Sequence, residues 1–384
     1  MRIEQILLVP LIALIHGSAM GSDPDPFIDV RENIAHLANG EAPGLQYVVV
    51  DAHGVIFEHV EGLSDINRHE VMTLDTTLMA YSMTKTITAI AVLQLAEKRK
   101  LGLDDPIDNY LTEPWYGKYR ITIRQLLSHT SGIPNPLPLR WVHLADETSF
   151  AEDSALEAVV NDNPKLTSSP GDKFAYSNIG YWLLGKVVEK ASGQSYSDYV
   201  RANILFPLKV GSSEMTFTIP APSRHASGYL KKYSLMNLVA KLVIDDKFRG
   251  GYEGNWLRLK NHYVNGPSFG GLIGTARGFG RLLQDQLQDN SILLGNEARR
   301  QLEEQQTDNS GTPIPMTLGW HISSADGELF FFKEGGGGGF HCEMRLYKEK
   351  GIATVVMTNG AGFNTTVFLN RIDKNFFRGN EVGK

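Results

Sequence analysis

Cysteine occurs once in the 384 residues, at Cys342. An intrachain disulfide is therefore excluded, and the fold must rest on its core alone. A basic excess is also missing. Lys and Arg number 37 against 43 Asp and Glu, a net charge of −6, which argues against a nucleic-acid partner. No run of like charges forms a tail, and no internal repeat is present. No His, Cys, Asp or Glu cluster has metal-ligand spacing, so neither a metal nor a cofactor is expected. No apolar run is long enough to span a bilayer comfortably. The composition, 42% hydrophobic and 21% charged, is that of an ordinary globular protein. The length predicts two or three lobes, or one large domain with an insertion.

The first residues differ from the rest. Arg2 precedes an apolar run from Ile6 to Ile15, followed by small residues at Gly17, Ser18, Ala19 and Gly21. This pattern predicts a secretory signal over residues 1–21 and a periplasmic or secreted mature protein. The competing reading is a short buried N-terminal helix.

Periodicity then organises the chain. "FIDVRENIAHLANG" predicts an amphipathic helix ending at Gly40. "LQYVVV", "DAHG" and "VIFEHV" predict a hairpin. Thr84 to Lys100 places Ile87, Ile90, Ala91 and Leu95 on one helical face. From Asp104 to about Asn290 the pattern reads as helical, with "SNIGYWLLGKVVEKASG" the clearest helix. "MTLGWHI", "ELFFF", "FHCEMRLY" and "IATVVMTN" return to strands, and "GFNTTVFLNRIDKNFF" reads as a closing helix. The expected fold is α+β. Residues 24–103 and 310–384 build one antiparallel sheet flanked by helices, and 104–309 form a mainly helical insert.

Three stretches could carry chemistry. "YSMTK" puts Ser82 one turn before Lys85 at a helix start, a nucleophile and a base on one face. The helix start adds free N–H groups and a positive dipole end. Read blandly, Ser82 is a helix cap and Lys85 a solvated residue. "FAYSNIG" holds Tyr176 and Asn178 before a helix, where a phenol can move a proton; the bland reading is a turn. "FFKEGGGGGF" ends a strand with Lys333, Glu334 and a glycine run from Gly335 to Gly339, where a substrate can lie against backbone; the bland reading is a hairpin loop.

Together, and in this order, the stretches resemble the penicillin-recognising serine hydrolases: class C β-lactamases, D-alanyl-D-alanine carboxypeptidases and family VIII carboxylesterases. "ITIRQLLSHTSGIP", "FGGLIGTARGFGRLL" and "GIATVVMTN" agree with it. The resemblance implies Ser82 as nucleophile, Lys85 as its base and Tyr176 as proton relay. It also implies substrate contacts at Asn178, Lys333, Glu334 and Gly335, and an oxyanion hole from the N–H groups of Ser82 and Gly336. Glu334 departs from the Thr or Ser that contacts a substrate carboxylate in penicillin-binding members. A glutamate there predicts a preference for small neutral esters. The alternatives are a β-lactamase, a D-amino-acid peptidase or amidase, and a non-catalytic binding protein.

Two decoys and two side features complete the reading. "GPSFG" mimics a nucleophile elbow around Ser268 but lacks a preceding buried strand. His129 in "LLSHTSG" reads as a hydrogen-bonded core residue, and Cys342 as a buried strand residue. Leu235, Leu238, Val239, Leu242 and Val243 recur at helical spacing within Lys231–Lys247. That predicts a helix packed on the insert, with an acyl-pocket lid or a membrane-surface contact as the sharper readings.

Overall fold

The computed structural model describes residues 25–111, 113, 115–136, 141–234 and 244–380. The expected signal and the core of the Lys231–Lys247 stretch lie outside the described residues. The two ends of that stretch are engaged: Lys231 pairs with Glu41 at 2.9 Å and Lys247 with Glu147 at 3.4 Å.

The framework is a seven-stranded antiparallel sheet drawn from both ends of the chain. Its strands are β1 (Gly44–Asp51), β2 (Val55–Asp65), β3 (Glu70–Val71), β4 (His321–Ala325), β5 (Glu328–Gly337), β6 (Phe340–Tyr347) and β7 (Ile352–Thr358). The order across the sheet is β4-β5-β6-β7-β1-β2-β3. The first and last long strands thus meet in the middle, with Leu45 opposite Thr358. Alternation sorts their side chains. Leu45, Tyr47 and Val49 face one core with Val356, under helices α1 (Ile28–Ala38) and α5 (Thr365–Ile372). Val48 and Val50 face the larger core with Met344, Val355 and Met357.

That larger core holds α2 (Thr84–Glu97), in which every residue from Thr84 to Leu95 is buried. The one-sided pattern expected there is exceeded because α2 lies inside the molecule. Helix α3 (Asn178–Ser192) starts as predicted, with Ser177 Oγ accepting from Gly180 N, and stops at Gly193 in the left-handed region (φ +73°).

The segment 104–309 is less helical than expected. It includes a three-stranded sheet (Gly228–Lys231, Trp256–Leu259, Arg249–Glu253) and two smaller pairings. These strands are short, and glycines break their alternation, so the period of two is faint. Helix α4 (Ala276–Leu287) leaves the insert to cover β1 and β7. "MTLGWHI" becomes a strand only from His321 onward. Among the described residues no helix is long and apolar enough to cross a membrane.

Candidate active site

The nucleophile position is built at a turn. The strand Leu78–Met79 leads through Ala80 to Tyr81, which adopts a left-handed backbone (φ +44°) rare for a bulky residue. Ser82 follows in a single 3₁₀ turn that runs directly into α2. Lys85, one turn on, is fully buried.

Three sequence stretches meet at Ser82. Its Oγ lies 2.9 Å from Lys85 Nζ and accepts from the Tyr176 hydroxyl at 2.8 Å. Lys85 Nζ also reaches Asn178 Oδ1 at 2.7 Å and the Phe269 carbonyl at 2.6 Å. Both of those partners are acceptors only. A neutral amine can give its two hydrogens to them and keep its lone pair for the Ser82 proton. Burial first, and then the charge of Lys333, drive the Lys85 amine well below its ordinary value. The Tyr176 phenol is driven the other way by burial, with the Glu334 charge adding to it and the Ser82 hydrogen bond opposing. Between the two groups the lysine is therefore the one shifted toward its unprotonated, proton-accepting form.

Lys333 stands on β5 with its ammonium fully buried and no hydrogen-bond partner among the described residues. Its Nζ sits 5.9 Å from the ring centre of Tyr176 and 5.7 Å from that of Tyr181. Burial pushes it down to about 7.

Glu334 is engaged in a way its position in the sequence does not announce. It alternates with Lys333 along the strand, while its charge still reaches Tyr176. Its carboxylate lies 2.6 Å from His341 Nε2 and is half exposed. His341 Nδ1 faces the Phe363 carbonyl, so both ring nitrogens meet acceptors, the arrangement of an imidazolium. Burial opposes charging His341, but Glu334 and Phe363 outweigh it and raise its proton affinity. Gly335 faces Ser82, and a side chain there would meet the Ala80 carbonyl and Ser82 N. Gly336 faces the His341 side.

A cavity of about 160 Å³ lies between Tyr81 (the neighbour of Ser82), Phe269 and Gly336–Gly338, walled by Trp141, Phe248 and Val264. A larger surface groove of about 570 Å³, beside Arg31, Arg277 and Arg281, contains none of the site residues.

The decoys resolve clearly. Ser268 is buried, and among the described residues its Oγ has the Trp182 carbonyl as hydrogen-bond partner, at 3.5 Å, and no base. Cys342 is buried on β6 with Sγ 3.2 Å from the Ala80 and Gly335 carbonyls, and burial pushes its thiol up. No group of His, Cys, Asp and Glu among the described residues could hold a metal ion. Sequence reasoning missed the Phe269 carbonyl, for which a main-chain atom gives no residue signal. It also missed how closely His129 and His321 stack against Tyr176, with ring centres 4.3 and 6.1 Å away.

The profile of the family described as Beta-lactamase matches residues 30–374. The chain belongs to the Beta-lactamase family. Within that family it is 28% identical over 196 residues to penicillin-binding protein 4* of Bacillus subtilis (strain 168), covering 50% of this chain and 43% of that one. It is 28% identical over 199 residues to protein flp of Staphylococcus aureus (strain NCTC 8325 / PS 47), covering 50% and 39%. The match thus spans less than half the length of these curated relatives. Among solved structures, the D-amino acid amidase from Ochrobactrum anthropi SV3, complexed with L-phenylalanine amide, superposes with a TM-score of 0.72 at 17% identity, covering 90% and 97% of the two chains. The octameric penicillin-binding protein homologue from Pyrococcus abyssi gives 0.71 at 22% identity, covering 89% and 75%. At these identities the likeness is one of fold.

Proposed function

We propose that this Beta-lactamase-family protein is an exported serine hydrolase that works through an acyl-enzyme on Ser82. Its best substrates are small esters with an apolar acyl group and no carboxylate. The observation that carries the reading is Ser82 Oγ held between Lys85 Nζ and the Tyr176 hydroxyl at 2.9 and 2.8 Å. In acylation Ser82 Oγ attacks the substrate carbonyl and its proton passes to Lys85. Tyr176 then protonates the leaving group and is refilled from Lys85. A water enters by the same route to release the acid. The N–H groups of Ser82 and Gly336 receive the oxyanion, and Lys333 supplies positive field beside Tyr176. Asn178 fixes Lys85 through its amide oxygen.

The apolar cavity at Tyr81, Phe269 and Trp141 supports an acyl group of modest size. Glu334 gives a substrate carboxylate no hydroxyl to bind, which disfavours β-lactams. A second reading, amides of amino acids with a free ammonium, is favoured by the half-exposed Glu334 carboxylate. It also agrees with the amidase named among the structural neighbours.

The test is a turnover panel of p-nitrophenyl esters, amino-acid amides and nitrocefin, run beside labelling with a fluorophosphonate. Label on the Ser82 peptide, lost together with turnover in Ser82→Ala, supports the reading. Label that survives Ser82→Ala but disappears in Ser268→Ala overturns it. Export is checked by fractionation and by the mass of the mature N-terminus; retention of residues 1–21 in the cytoplasm would reject it.

A further inference from the structure

His129 is bound to the Tyr176 segment by more than packing. It is fully buried and holds a left-handed backbone (φ +56°), uncommon outside glycine. Its carbonyl accepts from Ala175 N at 2.7 Å, and its Nδ1 accepts from Ser177 N at 3.1 Å. The residues immediately before and after Tyr176 are thus tied to one histidine. The same imidazole lies against the tyrosine ring, with centres 4.3 Å apart and planes inclined by 34°, and against Tyr181 at 4.9 Å. The grip continues outward: Gly171 N donates to the Thr130 carbonyl, and Asn178 N donates to Asn135 Oδ1.

The ring state follows from these contacts. Nδ1 accepts an amide hydrogen, so the single proton sits on Nε2. A second proton would break the bond to Ser177. Burial opposes it first, and positive charge on Lys333, Lys85 or His321 would oppose it further. A neutral ring here adds no charge of its own beside the phenol.

We propose that His129 is a positioning residue for the proton relay: it grips both flanks of Tyr176 and braces its ring, so that the phenol oxygen stays on Ser82 Oγ. The proposal rests on the reading of Tyr176 as the relay. A residue that only filled the core would not need a left-handed backbone together with two hydrogen bonds that bracket the tyrosine. The 2.8 Å bond from Tyr176 to Ser82 has little slack, and a drift of about 1 Å is enough to cost roughly a hundredfold in rate.

The experiment is a double-mutant cycle. His129→Asn keeps an acceptor and tolerates the left-handed backbone but loses the ring, whereas His129→Phe keeps a ring and loses the acceptor. Each is made alone and in a Tyr176→Phe background, and kcat and KM are measured with p-nitrophenyl acetate. Each single change should lower kcat about ten- to a hundredfold while KM moves less than about threefold. In the Tyr176→Phe background the further loss should shrink below about threefold, because the histidine acts through the missing hydroxyl. An undiminished loss in that background, or a loss confined to KM, overturns the proposal. Full activity in Tyr176→Phe alone would instead overturn the relay reading itself. In the wild-type protein, ¹⁵N-histidine spectra should show His129 protonated on Nε2 alone from pH 5 to 9. A His129 signal that titrates in that range also overturns the proposal, whether or not the variants fold.

Discussion

Adjacent glycines on β5 should respond in opposite ways to a single methyl group. Gly335 packs against the turn that carries the nucleophile. A Cβ there would run into the Ala80 carbonyl oxygen and stand 2.9 Å from Ser82 N and 3.0 Å from Cys342 Sγ. Clearing Ser82 N alone to an ordinary contact of 3.4 Å takes 0.5 Å, and clearing the carbonyl takes more. The partners are main-chain atoms in a close-packed interior, so β5 or the turn must shift by about 1 Å. Overpacking of this kind costs about 1–3 kcal/mol of stability. A 1 Å displacement of Ser82 against the base and the oxyanion donors costs about a hundredfold in rate. Gly336 differs. Its Cβ would meet His341 Cδ2 at 3.3 Å, with the next atoms at 3.8 Å, and a side chain can yield by a few tenths of an ångström. Gly335→Ala should therefore lose about a hundredfold in kcat/KM for p-nitrophenyl acetate and in the rate of fluorophosphonate labelling. Gly336→Ala should stay within about threefold of wild type. Equal losses in the two variants, or a harmless Gly335→Ala, would refute the argument that this strand is pressed against the nucleophile turn.

Further outcomes follow from the charges. Because neutral Lys85 is the competent base, kcat/KM should rise with pH along a limb well below the ordinary lysine value of 10.5, and Lys85→Ala should cost about 10²- to 10⁴-fold. A limb near 10.5, or an active Lys85→Ala, removes the lysine from the chemistry. Burial takes Lys333 from 10.5 to about 7, which at about 1.4 kcal/mol per pH unit costs the fold about 5 kcal/mol. That cost is full below pH 7 and fades between 7 and 10.5, so this group makes wild-type stability rise over the interval. Lys333→Met should melt higher, flatten that rise in denaturant titrations and turn over substrate more slowly; a lower melting point contradicts the argument. The Glu334–His341 pair stabilises where both are charged. It is lost as pH falls through the lowered Glu334 value, below 4.5, and as pH rises through the raised His341 value, above 6.5. Glu334→Thr leaves His341 without its carboxylate, so nitrocefin should gain about tenfold over a neutral ester near pH 6, a gain that shrinks in high salt. An unchanged ratio would show that this pair does not read substrate charge.

The parts of the site legible in the sequence were those set by local geometry. One turn of helix joins Ser82 to Lys85, and a helix start presents Tyr176 and Asn178; each spacing is common by itself, and it was their order along the chain that made the site readable. The hairpin and α2 were readable because their periods are long and regular. What stayed hidden were facts of three-dimensional neighbourhood. Glu334 also meets His341, a residue seven positions away that only the β5–β6 pairing brings close. His129 was read as a hydrogen-bonded core residue, and it is one; hidden was that its bonds go to Ala175 and Ser177, which are distant in sequence. The Gly228–Leu259 strands were hidden because short, glycine-broken segments do not sustain a period of two.

The sheet's central seam, β7 against β1, has a consequence for how the protein comes into being. Leu45 pairs with Thr358, and Ser82 faces a strand that carries Lys333. A chain emerging from the ribosome can make the Ser82 turn early, yet the strands that close the sheet arrive last. Contacts of such separation form slowly, after a long loop has been closed. Until then the large core lacks one wall and Ser82 lacks its opposing strand. The surroundings of Ser82 are therefore completed late in folding, when β4 to β7 dock beside β1.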